Sequence, residues 1–182
     1  MKTNFLIAGL LSISAIFISC EDVDDPNDHK HDEELITTVK LNFSNANDST
    51  DMFSVIFRDV DGPGGTDPST WDTIQLSSNN TYNVDVQFLN EAEVIVDDIT
   101  EEVIAEADEH IVCYESVDAN VQITRNDSVN NLPLGIETTW VTGPFNEGQV
   151  VVSLKHQPRV KDGTCTPGET DVEVSFVTII NP

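Results

Sequence analysis

Two histidines and a glutamate carry the most specific chemistry in this sequence. His156 ends the run VVVSLKH in register with Val150, Val152 and Leu154, so alternation puts its imidazole on the core-side face of a strand or at that face's rim. His110 closes an acidic helical segment, four residues after Glu106 and next to Glu109. If the strand end and the helix end meet, two imidazoles and a carboxylate suit a divalent metal such as Zn²⁺ or Cu²⁺. No spacing rule forces that meeting. The plainer reading pairs His110 with Glu106 across one helical turn and leaves His156 as a hydrogen-bonded rim residue.

Three further groups have the right residue types for binding chemistry. Asp59, Asp61 and Asp67 bracket Gly62, Pro63, Gly64 and Gly65, a turn whose glycines can bend carbonyls toward a hard cation such as Ca²⁺. The glycine position does not fit an EF-hand loop, and a turn-rich hairpin connection is the alternative. His29, Lys30 and His31 lie between Asp28 and Asp32, a short tract able to collect Zn²⁺ or Cu²⁺ weakly or to serve as an inert solvated linker. Cys113 and Cys165 form an even pair once Cys20 is set aside. They are candidates for a disulfide or for two separate thiols, and no CxxC suggests a redox centre.

For catalysis the chain offers no Ser or Cys nucleophile in context with His and Asp, and no Gly-rich phosphate loop. Paired carboxylates carry no weight here, because 33 Asp and Glu among 182 residues make some pair inevitable. The expectation is a protein that is not an enzyme. With only 8 Lys and Arg the formal charge is −25, which excludes a nucleic-acid backbone as partner.

The elements that must position these residues read as strands. Val39, Leu41 and Phe43 alternate, as do Phe53, Val55 and Phe57, then Tyr82, Val84, Val86 and Phe88. The same pattern runs through Val117, Ala119, Val121 and Ile123, through Val150 to Leu154, and through Val172, Val174, Phe176 and Ile180. Thr73 to Leu76 and Ile136 to Val141 are weaker strands. About eight short strands separated by Gly, Pro, Asn and Asp predict an all-β antiparallel sandwich, immunoglobulin-like or jelly-roll-like. One segment breaks the period: Ile99, Val103 and Ala107 fall four apart, and Asp98 with Glu101 has capping-box spacing, so one short helix is expected over 97–110.

The amino terminus predicts an address. Lys2 precedes an apolar run of about fourteen residues, too short to cross a bilayer and ending Phe17-Ile18-Ser19-Cys20. FISC resembles a bacterial lipobox, which implies cleavage before Cys20 and lipidation of its thiol, with acyl chains anchoring the protein to a membrane. Glu21, Asp22, Asp24 and Asp25 follow in a stretch with almost nothing to pack. The expected organisation is residues 1–19 as signal peptide, 20–35 as acidic tether and 36–182 as sandwich. Acids directly after the lipidated Cys resemble the export signal of Bacteroidota lipoproteins, which implies outer-membrane anchoring and display at the cell surface, with the periplasmic face as the alternative.

At DITEEVIAEADEH (98–110), LKHQPRVKDG (154–163) and GETDVEVSF (168–176) the chain resembles a family of small Bacteroidota lipoproteins of unknown function. That family is often labelled type 1 periplasmic binding fold superfamily. The label implies two α/β lobes, whereas the strand pattern here predicts a sandwich. The resemblance implies a place beside an outer-membrane TonB-dependent receptor and supplies no catalytic residues. Two functions follow as expectations: a lipid-anchored accessory or ligand-binding protein, or a non-catalytic structural or adhesive surface module.

Overall fold

A computed structural model describes residues 35–62, 64–92 and 94–182. Cys20, the signal segment, His29 and His31, nearly all of the tether and Pro63 lie outside the described residues. In chain order the strands are β1 (Thr38–Asn45), β2 (Met52–Arg58), β3 (Thr70–Trp71), β4 (Ile74–Ser77), β5 (Thr81–Asn90) and β6 (Asp97–Asp98). Helix α1 (Ile99–Ala105) is followed by β7 (His110–Val117), β8 (Val121–Arg125), β9 (Ser128–Val129), β10 (Leu132–Pro133), β11 (Glu137–Thr142), β12 (Asn146–His156) and β13 (Glu169–Asn181).

These strands make an antiparallel β-sandwich with one short helix. One sheet runs β3-β2-β1-β5-β11-β8, with β6 also pairing β5, and the other runs β4-β13-β12-β7. The pair β4–β13 is parallel, which period-two reading cannot foretell, because alternation is the same in either direction. Strands β9 and β10 form a separate two-residue ribbon. Among the described residues thirteen strands stand where about eight are expected, largely because four of them are only two residues long and too short to show a period.

The alternating sets define the core. Val39, Leu41 and Phe43 of β1 and Val84, Val86 and Phe88 of β5 are buried, as are Val150, Val152 and Leu154 of β12 and Val174, Phe176 and Ile180 of β13. Burying a side chain of this size contributes about 1.5–3 kcal/mol each. Trp140 sits among them, and its indole nitrogen donates to Thr138 Oγ1 at 2.8 Å while that hydroxyl donates to the Val84 carbonyl at 3.0 Å, so no polar atom of this set is buried at a loss.

Two sequence expectations are corrected. Val117 to Ile123 is not one strand: Asp118 has φ 55°, and the chain there leaves β7 in one sheet for β8 in the other. Gly148 of β12 permits the crossing, because a Cβ there would overlap the Asp118–Ala119 backbone. The helix is also shorter than 97–110. Asp98 caps it by accepting from the Thr100 N–H at 3.1 Å, and it stops at Ala105 with Glu106 as C-cap. Ile99, Val103 and Ala107 do face the core. Thr100 docks the helix on β5, its hydroxyl accepting from the Phe88 N–H at 2.9 Å.

Candidate metal centre

The two histidines meet by strand register. In the β7–β12 ladder His110 lies directly opposite His156, at the end where β12 finishes and β7 begins. Their rings are stacked with centroids 4.7 Å apart and planes 12° from parallel. His110 therefore starts a strand and does not close the helix. The helix ends early because the Glu106 N–H still reaches Glu102 O, after which the backbone turns and the Glu109 N–H returns to Glu106 O at 2.8 Å. That turn feeds the chain straight into β7.

Glu106 joins the pair. One ligand atom from each of Glu106, His110 and His156 lies within 4.8 Å of the others, and among the described residues no other group of three or more His, Cys, Asp or Glu gathers so closely. The expected side-chain pairing of His110 with Glu106 takes a different form, since His110 Nδ1 sits 3.2 Å from the Glu106 backbone carbonyl. A carbonyl only accepts, so a neutral His110 ring carries its proton on Nδ1 and keeps a lone pair on Nε2. This is the arrangement by which a backbone carbonyl orients a metal-ligating imidazole.

Burial holds His110 in that neutral state. The residue is 1% exposed, and loss of solvent pushes its pKa below the ordinary histidine value, opposed by the hydrogen bond with Glu106. The neighbouring His156 lowers it further, while the Glu106 and Glu109 carboxylates act in the raising direction. Glu109 Oε2 stands 3.7 Å from His156 Nε2. Two imidazoles with one carboxylate at hand form a donor set for Zn²⁺ or Cu²⁺, and a second carboxylate borders it.

The surroundings fix the ends of both strands. Lys161 Nζ donates to the carbonyls of Ala107 and His110, each at 2.6 Å. The Gln157 N–H donates to the Glu109 carbonyl at 2.6 Å, and its side-chain amide donates to the carbonyls of Thr164 and Pro167 at 2.9 and 2.8 Å. Cys113 and Cys165 are joined as a disulfide, Cα–Cα 6.0 Å, tying β7 to the loop that follows β12. Gly168 ends that loop with φ 83° and its backbone against His156, where any Cβ would overlap the His156 carbonyl. Lys161 and Gln157 escaped the sequence reading, although both sit in the segment 154–163; a lysine a few residues beyond a strand end gives no sign that it will reach back to a helix terminus.

The acidic turn is built differently. Asp61 accepts from the Thr66 N–H at 2.9 Å and from its hydroxyl at 3.0 Å, which holds the Asp61 carboxyl below the usual range. Burial and the neighbouring Asp61 carboxyl raise that of Asp59. Asp67 is exposed, and Asp59, Asp61 and Asp67 do not converge as a ligand group, so the turn is organised by its own hydrogen bonds. No family model, no curated protein and no solved structure matches this chain, so its own geometry is what a function must be argued from.

Proposed function

We propose that the chain is a lipid-anchored accessory protein of the outer membrane, displayed at the cell surface beside a TonB-dependent receptor, and that it binds a divalent transition metal through Glu106, His110 and His156. The anchor rests on the Cys20 lipobox and the acidic residues behind it, and the receptor on the resemblance to Bacteroidota lipoproteins. Among the described residues no helix is long and apolar enough to cross a membrane. The observation that carries the binding role is the cross-strand stack of His110 on His156 with Glu106 in reach. Facing imidazoles on neighbouring strands have their separation set by the ladder and by the loop contacts that brace its end, which favours the preorganisation a metal site needs. The role is binding without turnover.

Thermal melts of the cleaved chain with Zn²⁺, Cu²⁺ and Ca²⁺ test it. A metal that binds only the folded state adds RT ln(1+[L]/Kd), so Zn²⁺ or Cu²⁺ should raise Tm with concentration and Ca²⁺ should not. The double variant H110A/H156A should lose that rise. Should it keep the full rise, the metal sits elsewhere.

One feature favours a second reading, an adhesive module without a small ligand. Val94, Ile95 and Val96 are consecutive and all more than half exposed, at 101%, 83% and 54%. An apolar tip of this kind suits contact with another macromolecule. Absence of any metal-dependent Tm shift would support that reading instead.

A further inference from the structure

Arg125 is placed unlike Arg58, the other arginine of the sheet that contains β8. Arg58 Nε donates to Glu91 Oε2 at 2.8 Å, the pairing expected in a chain with four times more acids than bases. The guanidinium of Arg125 has one hydrogen-bond acceptor among the described residues, Cys165 Sγ of the disulfide at 3.1 Å. Sulfur is a weak acceptor, and a guanidinium offers five N–H groups in a planar fork. Asp127, two residues away, does not serve. Its carboxylate accepts from the N–H groups of Gly135 at 2.7 Å, Ile136 at 2.9 Å and Glu137 at 3.3 Å. A half-buried guanidinium with one weak hydrogen-bond acceptor is under-satisfied; its burial lowers the Arg125 pKa, while the nearby Tyr114 and Asp127 act in the raising direction without hydrogen-bonding the fork.

This guanidinium borders an open cleft of about 300 Å³ lined by Tyr114, Ile123, Thr124, Arg125 and Pro133. That is the lower end of the size range of small-molecule sites. Tyr114 commits its hydroxyl to the Gly135 carbonyl at 2.8 Å, so its ring is what it adds to the wall. Ile123 and Pro133 add apolar surface beside the polar Thr124 and Arg125. One cation with a largely unused fork, set in a recess that is as much apolar as polar, is the pattern of a site for a small anion with an apolar body.

We propose that the Tyr114–Arg125–Pro133 cleft is a second binding site, separate from the histidine centre, that takes a small organic monocarboxylate with its carboxylate on Arg125. A carboxylate matches the guanidinium fork in two parallel N–H···O bonds. A dianion such as phosphate monoester would leave one charge uncompensated on a chain whose net charge is already −25.

Benzoate and inorganic phosphate are suitable probes, added to the ¹⁵N-labelled cleaved chain while its amide and arginine Nε–H resonances are followed. Benzoate should shift the Arg125 Nε–H and the Ile123 and Thr124 amides together along one saturable curve. R125K, which keeps the charge and the packing stem but loses the fork, should weaken binding about tenfold or more, and R125M should abolish it. The proposal falls if benzoate leaves those resonances unmoved. It falls equally if R125K binds as tightly as the parent, or if phosphate saturates the site and benzoate does not. The parent and R125K decide the matter even if R125M does not fold.

Discussion

Lys161 Nζ donates to the carbonyl of His110 at 2.6 Å while its other hydrogen bond goes to Ala107, so one ammonium joins the turn after α1 to the first residue of β7. A charged donor makes a stronger hydrogen bond to a backbone carbonyl than a neutral one does. K161M removes both bonds. It should cost about 1–3 kcal/mol in urea unfolding, and it should weaken Zn²⁺ binding, because the backbone that presents His110 loses its brace. A variant with parental stability and parental affinity would remove Lys161 from the account.

Glu109 Oε2 stands 3.7 Å from His156 Nε2, beside the candidate centre. A divalent ion held by Glu106 and two neutral imidazoles keeps one positive charge, and a second carboxylate would cancel it. E109Q should therefore reduce Zn²⁺ affinity about tenfold or more, while H156A should reduce it further by removing a ligand. Isothermal titration at fixed pH separates the two. Equal affinity in E109Q and the parent would mean that Glu109 only shields His156.

Much of the fold was legible, and its centre of chemistry only by residue type. Val39, Leu41 and Phe43, or Val150, Val152 and Leu154, alternate over enough positions for period two to declare a buried face, and each of these is buried. Asp118 hid a change of sheet, because Val117, Ala119, Val121 and Ile123 keep the same spacing through a residue with φ 55°. Ile99, Val103 and Ala107 carry a helical period that points to His110 as the helix end, and the early stop at Ala105 has no proline or glycine to mark it. The His110–His156 contact depends on which strands pair and in what register. One sequence states no register when neither strand is joined to the other by a short turn.

The Cys113–Cys165 disulfide spans 52 residues of chain and fastens β7 to the loop beside His156. In the loop-entropy view a link of that span stabilises by about 4 kcal/mol, and measured values run from 0 to 5. The variant C113S/C165S should unfold at lower urea, with a somewhat larger slope m because the unlinked denatured chain exposes more surface. Since Gln157 Nε2 independently holds Thr164 and Pro167, the loop should stay in place at neutral pH and the metal response should survive. Loss of the metal response in a variant that remains folded would show that the disulfide positions the centre.

Acid should find a different weak point, at the Glu91 corner. Burial raises the Glu91 carboxyl, but hydrogen bonds from Arg58 and Thr38, both at 2.8 Å, and the Arg58 charge outweigh it and set its pKa below the ordinary 4.5. A depressed folded-state pKa means that the unfolded chain binds more protons between that value and 4.5, so stability falls as pH falls through this window. Above about pH 4.5 the contribution of the ionised carboxylate is fully present. E91Q cannot titrate, so its urea midpoint should start lower at pH 7 and decline less steeply below pH 4.5 than the parent's. Arg58 and Glu91 are both partly solvated, with side chains 35% and 21% exposed, which keeps the expected difference small. Parallel acid limbs for parent and variant would assign the acid sensitivity to other carboxylates.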